Sequence, residues 1–85
     1  MSTERWTIRE ILTWTTGYFQ RAGLASPRLD AECLLAHGIG VSRVELYLRH
    51  DMPLGPVERA RVRDLVAQRA KERVPVAYLI GEKEF

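Results

Sequence analysis

Ser26-Pro27-Arg28-Leu29-Asp30-Ala31-Glu32-Cys33-Leu34-Leu35-Ala36-His37 begins with a serine and a proline and is followed by Gly38 and Gly40. A serine hydroxyl can accept a hydrogen bond from an orphan N–H at a helix start. Proline lacks the N–H that the first helical position leaves unpaired anyway. Glycine adopts the left-handed backbone that closes a helix. The stretch therefore reads as a helix capped by Ser26 and ended by Gly38 and Gly40. Leu29, Cys33, Leu34 and Ala36 form its expected buried stripe, flanked by Leu35 and His37.

The same start and stop signals recur on both sides. Upstream, Thr7-Ile8-Arg9-Glu10 is a capping box, in which hydroxyl and carboxylate each satisfy a backbone donor. Ile8, Ile11, Leu12 and Phe19 follow at helical spacing, with Tyr18 beside them, and predict a helix from about Ile8 to Arg21. Thr13, Thr15, Thr16 and Gly17 are weak helix formers, so packing has to supply what propensity lacks. Gly23 is the expected stop. Downstream, Ser42-Arg43-Val44-Glu45 is a second capping box, opening a short helix through Leu46, Tyr47 and Leu48. Gly55-Pro56 opens a fourth helix with Val62, Leu65, Val66 and Ala70 on one face and Lys71 and Arg73 in its last turn. Pro75 stops or kinks it. Val76-Ala77-Tyr78-Leu79-Ile80, closed by Gly81, is expected to make one or two helical turns, with a strand as the alternative. The last residues, 82–85, are expected to be extended. The fold class is all-α: a compact bundle of four helices plus a short fifth, with an extended C-terminal tail.

The bulk composition agrees with a small globule. The 85 residues are 46% hydrophobic and 28% charged, with a net charge of +2. Disorder needs low hydrophobicity and high net charge, and this chain has neither. A near-balanced charge does not call for nucleic acid or an anionic membrane as partner. Cys33 is the sole cysteine, which excludes an internal disulfide or a cysteine-based metal cluster. The first residues have no apolar leader region, and no apolar run is long enough to span a bilayer. A reducing, cytoplasmic setting is expected.

No catalytic pattern emerges from the residues. Gly38-Ile39-Gly40 lacks a third glycine and follows a helix rather than a strand, so it reads as a helix stop and not a dinucleotide loop. His37 and His50 lack the spacing and partner ligands of a zinc site. Cys33 would need a base beside it to act as a nucleophile. A small packed cysteine is the plainer reading. Asp30 and Glu32 are two apart on a helix and do not share a face, so they make no acid–base pair by themselves. A solvated face with Arg28 paired nearby explains them. On the fourth helix Arg59, Arg61, Arg63, Arg69, Lys71 and Arg73 stand against Glu58, Asp64 and Glu72. A mixed solvated face is the plain explanation, and a docking surface the functional one. The arginines have no aromatics interleaved along the sequence, which weakens a reading as a single-strand nucleic-acid surface. Trp6 and Trp14 are eight apart, which returns nearly to one helix face. Either is core, or an interface anchor if exposed.

Two segments resemble a known family. They are Ser26 to His37, quoted above, and Arg73-Val74-Pro75-Val76-Ala77-Tyr78-Leu79-Ile80-Gly81-Glu82-Lys83-Glu84-Phe85. Together, with Ser42-Arg43 and Leu46-Tyr47-Leu48 between them, they resemble the N-terminal domain of the bacterial release-factor glutamine methyltransferases. Gly55 departs from the serine or threonine usual there, and Cys33 from the usual leucine. The resemblance implies a parent enzyme that moves a methyl group from S-adenosylmethionine to a glutamine amide. That glutamine lies in the Gly-Gly-Gln loop of class I peptide-chain release factors, which act in translation termination.

The implied chemistry belongs to a C-terminal methyltransferase domain with an Asn-Pro-Pro-Tyr motif, and that motif is not in these residues. No catalytic, cofactor-binding or metal-binding residue is therefore carried over, and the 85 residues alone are expected to be non-catalytic. The resemblance implies a helical substrate-recognition domain over residues 1–81, with 82–85 starting a connector. Its partners would be a class I release factor and the parent's own C-terminal domain, with no direct nucleic acid and no membrane. Arg28, Asp30 and Glu32 are the candidate partner-binding residues, against a purely structural network between helices that explains them at least as well. Tyr78, Gly81 and Phe85 are the candidate connector residues. The competing reading is a free-standing helical adaptor. A stop codon after Phe85 would favour it, and a continuing frame encoding Asn-Pro-Pro-Tyr would remove it.

Overall fold

A computed structural model describes residues 6–81. Five helices follow one another: α1 Ile8–Arg21, α2 Pro27–Ile39, α3 Arg43–Leu48, α4 Pro56–Ala70 and α5 Val76–Leu79. This is the expected four helices and a short fifth. Among the described residues one isolated bridge joins Thr7 to Pro53. The expected tail, with Phe85, lies outside the described residues.

Helix α2 is the centre, packing against α1, α3, α4 and α5. Ala31, Leu34 and Leu35 are wholly buried. One expectation fails here. Leu29 is 45% exposed, while Leu35, read as flanking, is in the core. A single stripe suits a helix with one partner. α2 is covered on more than one side, so its apolar residues do not fall on one stripe. Cys33 is half-buried and His37 exposed. Ser26 holds the N-cap position, but its hydroxyl makes no cap bond. Its carbonyl accepts the Asp30 N–H at 2.9 Å instead.

The start of α1 is fully satisfied. The Ile8 N–H donates to the Met52 carbonyl at 3.0 Å and the Arg9 N–H to that of His50 at 2.9 Å. The Glu10 N–H donates to Thr7 Oγ1 at 3.2 Å, and Glu10 Oε1 accepts from the Thr7 N–H at 2.9 Å. All orphan donors of the first turn thus find acceptors, and two of those acceptors lie in the α3–α4 loop. Capping therefore also pins that loop to α1. The Leu54 N–H extends the pairing to the Trp6 carbonyl at 2.9 Å. Ser42 and Glu45 complete the second capping box on α3.

The weak helix formers of α1 have distinct fates. Thr16 Oγ1 donates back to the Leu12 carbonyl at 2.8 Å. Thr15 is 1% exposed, and its hydroxyl has no hydrogen-bond partner. Buried packing holds this part of α1 at the cost of one unsatisfied polar atom.

Gly38 does not end α2, which continues to Ile39 and closes at Gly40 in left-handed backbone with φ 90°. Gly38 serves the crossing with α4. A Cβ there would stand 2.9 Å from Val62 Cγ2. Arg61 Nη1 donates to the Gly38 carbonyl at 3.3 Å across the same crossing.

Helix α4 stops at Ala70, well short of Pro75. Lys71 is its C-cap, and Arg73 lies beyond the helix rather than in the last turn. Arg73 has φ 59°, and the Val74 N–H turns back to the Gln68 carbonyl at 3.1 Å. Arg73 Nη2 donates to the Ala22 carbonyl at 2.9 Å, tying this turn to the end of α1. The left-handed turn ends the helix, and Pro75 caps α5 instead.

Two substitutions test this packing. Gly38→Ala should lower unfolding free energy by about 1–2 kcal/mol in urea titration, although alanine is the better helix former. Thr15→Val should raise it by about 1 kcal/mol by removing the orphan hydroxyl. A stabilised Gly38→Ala protein would refute the tight crossing. A destabilised Thr15→Val protein would refute the unsatisfied hydroxyl.

Candidate functional site

Asp30 and Glu32 reach different helices, as two positions two apart on a helix must. Asp30 Oδ2 accepts from Arg69 Nε on α4 at 3.0 Å, the two side chains being 13% and 20% exposed. Arg69 also donates through Nη1 to the Val74 carbonyl at 3.4 Å. Glu32 turns towards α3. Its Oε1 accepts from Arg43 Nη2 at 3.0 Å, and its Oε2 from Arg28 Nε at 2.9 Å and from the Tyr47 hydroxyl. The Glu32 side chain is only 5% exposed, while those of Arg28 and Arg43 are half exposed. Burial pushes the Glu32 carboxyl up, but the bonds from Tyr47, Arg28 and Arg43 outweigh it. They hold the group below the usual carboxylate range. The hydrogen bond to Glu32 likewise raises the Arg28 guanidinium above its ordinary value.

Sequence reasoning puts Asp30 and Glu32 on a solvated face with Arg28 paired nearby; the structure gives Arg28 to Glu32 at i,i+4. Glu32 is buried instead. Arg43, Tyr47 and Arg69 were missed as partners because they are eleven, fifteen and thirty-nine residues from the carboxylates they meet. No local pattern encodes those contacts. The basic face of α4 is also less free than the sequence implies. Arg61 and Arg69, with Arg73 beyond the helix, spend hydrogen bonds on carbonyls or on Asp30.

A different surface remains open. α1 and α4 lean on α2 rather than on each other, and a groove of about 500 Å³ lies between them. Trp6, Ile11, Trp14, Thr15 and Tyr18 line it from the α1 side. Arg59, Val62, Arg63, Val66, Ala67 and Lys71 line it from α4. Trp14 and Tyr18 stack with centroids 5.2 Å apart and planes 17° apart, and Trp14 is 51% exposed. Trp6 precedes α1, so helical spacing does not relate it to Trp14, yet both reach this groove. Aromatics do lie opposite the arginines of α4, supplied by another helix rather than interleaved with them.

The connector candidates stand apart from both features. Tyr78 is 80% exposed on α5 and is not packed into the core, and Gly81 has φ 62°. Phe85 lies outside the described residues. Among the described residues no group of three histidine, cysteine or carboxylate side chains could hold a metal ion. No described helix is long and apolar enough to cross a membrane.

Comparison with known proteins places these residues. Residues 10–81 match the PrmC N-terminal domain family. The chain is 49% identical over 82 residues to a protein of Geobacter sulfurreducens named release factor glutamine methyltransferase, covering 96% of this chain and 28% of that protein. A protein of the same name from Rhodopirellula baltica is 48% identical over 80 residues, covering 94% of this chain and 27% of that protein. One from Deinococcus radiodurans is 41% identical over 78 residues, 92% of this chain and 28% of that protein. The chain thus spans little more than a quarter of the length of these relatives. No solved structure matches it significantly.

The Glu32 cluster makes a pH prediction. A carboxylate held low in the folded state stabilises the protein fully above its unfolded pKa. That contribution is lost as pH falls below about 4.3 and through the folded value. Glu32→Gln should cost about 1–3 kcal/mol at pH 7. It should also flatten the loss of stability between neutral and acid pH in urea titrations. Parallel acid limbs for the two proteins would show that Glu32 does not carry the effect.

Proposed function

The chain belongs to the PrmC N-terminal domain family, and on that premise we propose that it is the release-factor-recognition domain of a glutamine methyltransferase. The observation that carries this reading is the family match together with relatives named release factor glutamine methyltransferase at up to 49% identity. The parent would take its methyl group from S-adenosylmethionine and place it on the Gly-Gly-Gln glutamine of a class I release factor. Residues 1–81 would form the recognition domain, and 82–85 would begin the connector to a methyltransferase domain. The setting would be the cytoplasm, where release factors meet the ribosome.

The physics suits a division of labour. Methyl transfer requires an amide held in line with a methyl donor, and much of the rate comes from that orientation. A short target loop offers little surface for affinity. A second contact on a rigid bundle raises the effective concentration of the loop at the catalytic pocket. In this reading Asp30 and Glu32 act by fixing α4 and α3 to α2. Arg28, with its exposed guanidinium, is the one of the three that can also touch a partner. Exposed Tyr78 would pack on the following domain, and Gly81 would turn the chain towards it.

The test is methyl transfer by the full-length protein with and without residues 1–81. Deletion should lower kcat/KM for an intact release factor by about tenfold or more. Turnover of a short peptide carrying the Gly-Gly-Gln loop should persist, reporting a folded catalytic domain. Unchanged kcat/KM for the intact release factor would sink the recognition role.

A further inference from the structure

We propose that the groove between α1 and α4 seats an acidic, apolar-bearing segment of the domain's protein partner. An apolar side chain of that segment would insert against the Trp14–Tyr18 stack while its carboxylates meet Arg63 and Lys71. This deepens the recognition reading and rests on it.

The groove has the composition of a binding hot spot. Its α1 wall is aromatic, and half of Trp14 faces solvent although indole is costly to leave wet. Tryptophan, tyrosine and arginine dominate the energetics of protein interfaces. Its floor, including Val62 and Val66, is apolar. Its α4 wall carries Arg59, Arg63 and Lys71, and no carboxylate lines it among the described residues. Arg63 and Lys71 are exposed. The chain as a whole is nearly balanced at +2, so this concentration of one sign is local. An acidic partner complements it, and a basic one is repelled.

The volume fits a few side chains of a helix or extended strand. The platform is also preorganised. Trp14 and Tyr18 are four apart on one helix and already stacked, so little rotamer freedom is lost on binding. The same stacking leaves the two rings less able to intercalate successive bases. Among the described residues the groove's cations lie on its α4 wall alone, whereas a single-strand channel lines its backbone path with positive charge. Protein is therefore favoured over single-stranded nucleic acid.

The experiment uses the full-length protein with an intact class I release factor as probe, and the Gly-Gly-Gln loop peptide as control substrate. Trp14→Ala should raise KM for the release factor about tenfold or more. Arg63→Glu, at an exposed position that does not threaten the fold, should raise it several-fold, on the order of fivefold, and weaken its dependence on salt. Both should leave turnover of the loop peptide at the unsubstituted rate. Wild-type KM in both variants would overturn the groove assignment. If deleting residues 1–81 still raised KM in that case, the recognition reading would stand without the groove. If the deletion also had no effect, the recognition reading itself would fall. Two further outcomes would overturn the proposal. One is a dimer in sedimentation that Trp14→Ala abolishes, making a second copy the occupant. The other is tight, Trp14-dependent binding of a single-stranded RNA oligonucleotide.

Discussion

At the crossing of α2 and α4 a Cβ on Gly38 would stand 2.9 Å from Val62 Cγ2, too close without a shift of one helix or side chain. The missing side chain lets Val62 of α4 pack directly on the α2 backbone. Its consequences spread through the bundle. With α4 seated on one side of α2 and α1 on another, α2 is buried around most of its girth. Neither α1 nor α4 then needs the other to complete the core. Each buries one edge of its apolar stripe on α2, and the remaining edges face each other across the groove.

Charge is arranged to hold that geometry. Asp30 and Glu32 sit two residues apart on α2 and therefore point towards different neighbours. One fixes Arg69 of α4, and the other collects Arg28 of its own helix together with Arg43 and Tyr47 of α3. Glu32 is nearly inaccessible, and a lone buried carboxylate would be heavily penalised. Three donors satisfy it, and two of them keep their far ends in water. The desolvation cost is thus confined to one group. Arg61 and Arg73 act on backbone instead, meeting carbonyls at the ends of α2 and α1. These are the places where helices leave acceptors unpaired. Much of α4's positive charge is therefore internal fastening, which leaves Arg63 and Lys71 among those still facing solvent.

Local signals in the sequence located the elements well. Thr7–Glu10 and Ser42–Glu45 are reciprocal caps whose two partners lie three residues apart, so their pairing is visible without a fold. The start of α1 was legible for that reason, whereas α5, which has no side-chain cap, reads from the sequence as one or two helical turns with a strand left open. Gly38 was misread because a glycine near a helix end has two uses, stopping the chain or admitting a neighbour, and only the neighbour decides. The burial of Leu35 and exposure of Leu29 depend on how many helices surround α2, which periodicity along α2 does not encode. The end of α4 was placed too late because Arg73, a residue that seldom adopts positive φ, makes the turn usually left to glycine. The groove was half legible: Trp14 and Tyr18 have helical spacing, but the arginines opposite come from another helix.

On the proposed recognition role, the separation of fastening charges from exposed ones bears on how a partner would be bound without a change of shape. A surface built from residues that also hold the core would have to break internal bonds on binding, and each broken bond would subtract from affinity. Asp30 and Glu32 are in that position. A partner that pulled Glu32 away would leave Arg43 and Tyr47 unpaired. The Trp14–Tyr18 stack and Arg63 are not tied in this way. The core is complete without further burial of the indole, and Arg63 is exposed on the α4 wall of the groove. Contact there adds buried apolar area and charge pairing while subtracting no internal bond of the Glu32 or Asp30 clusters. A bundle whose stability and whose exposed anchors reside in different side chains can be rigid and adhesive together. Rigidity is what a distant second contact needs if it is to present a small loop to a catalytic pocket in a fixed orientation.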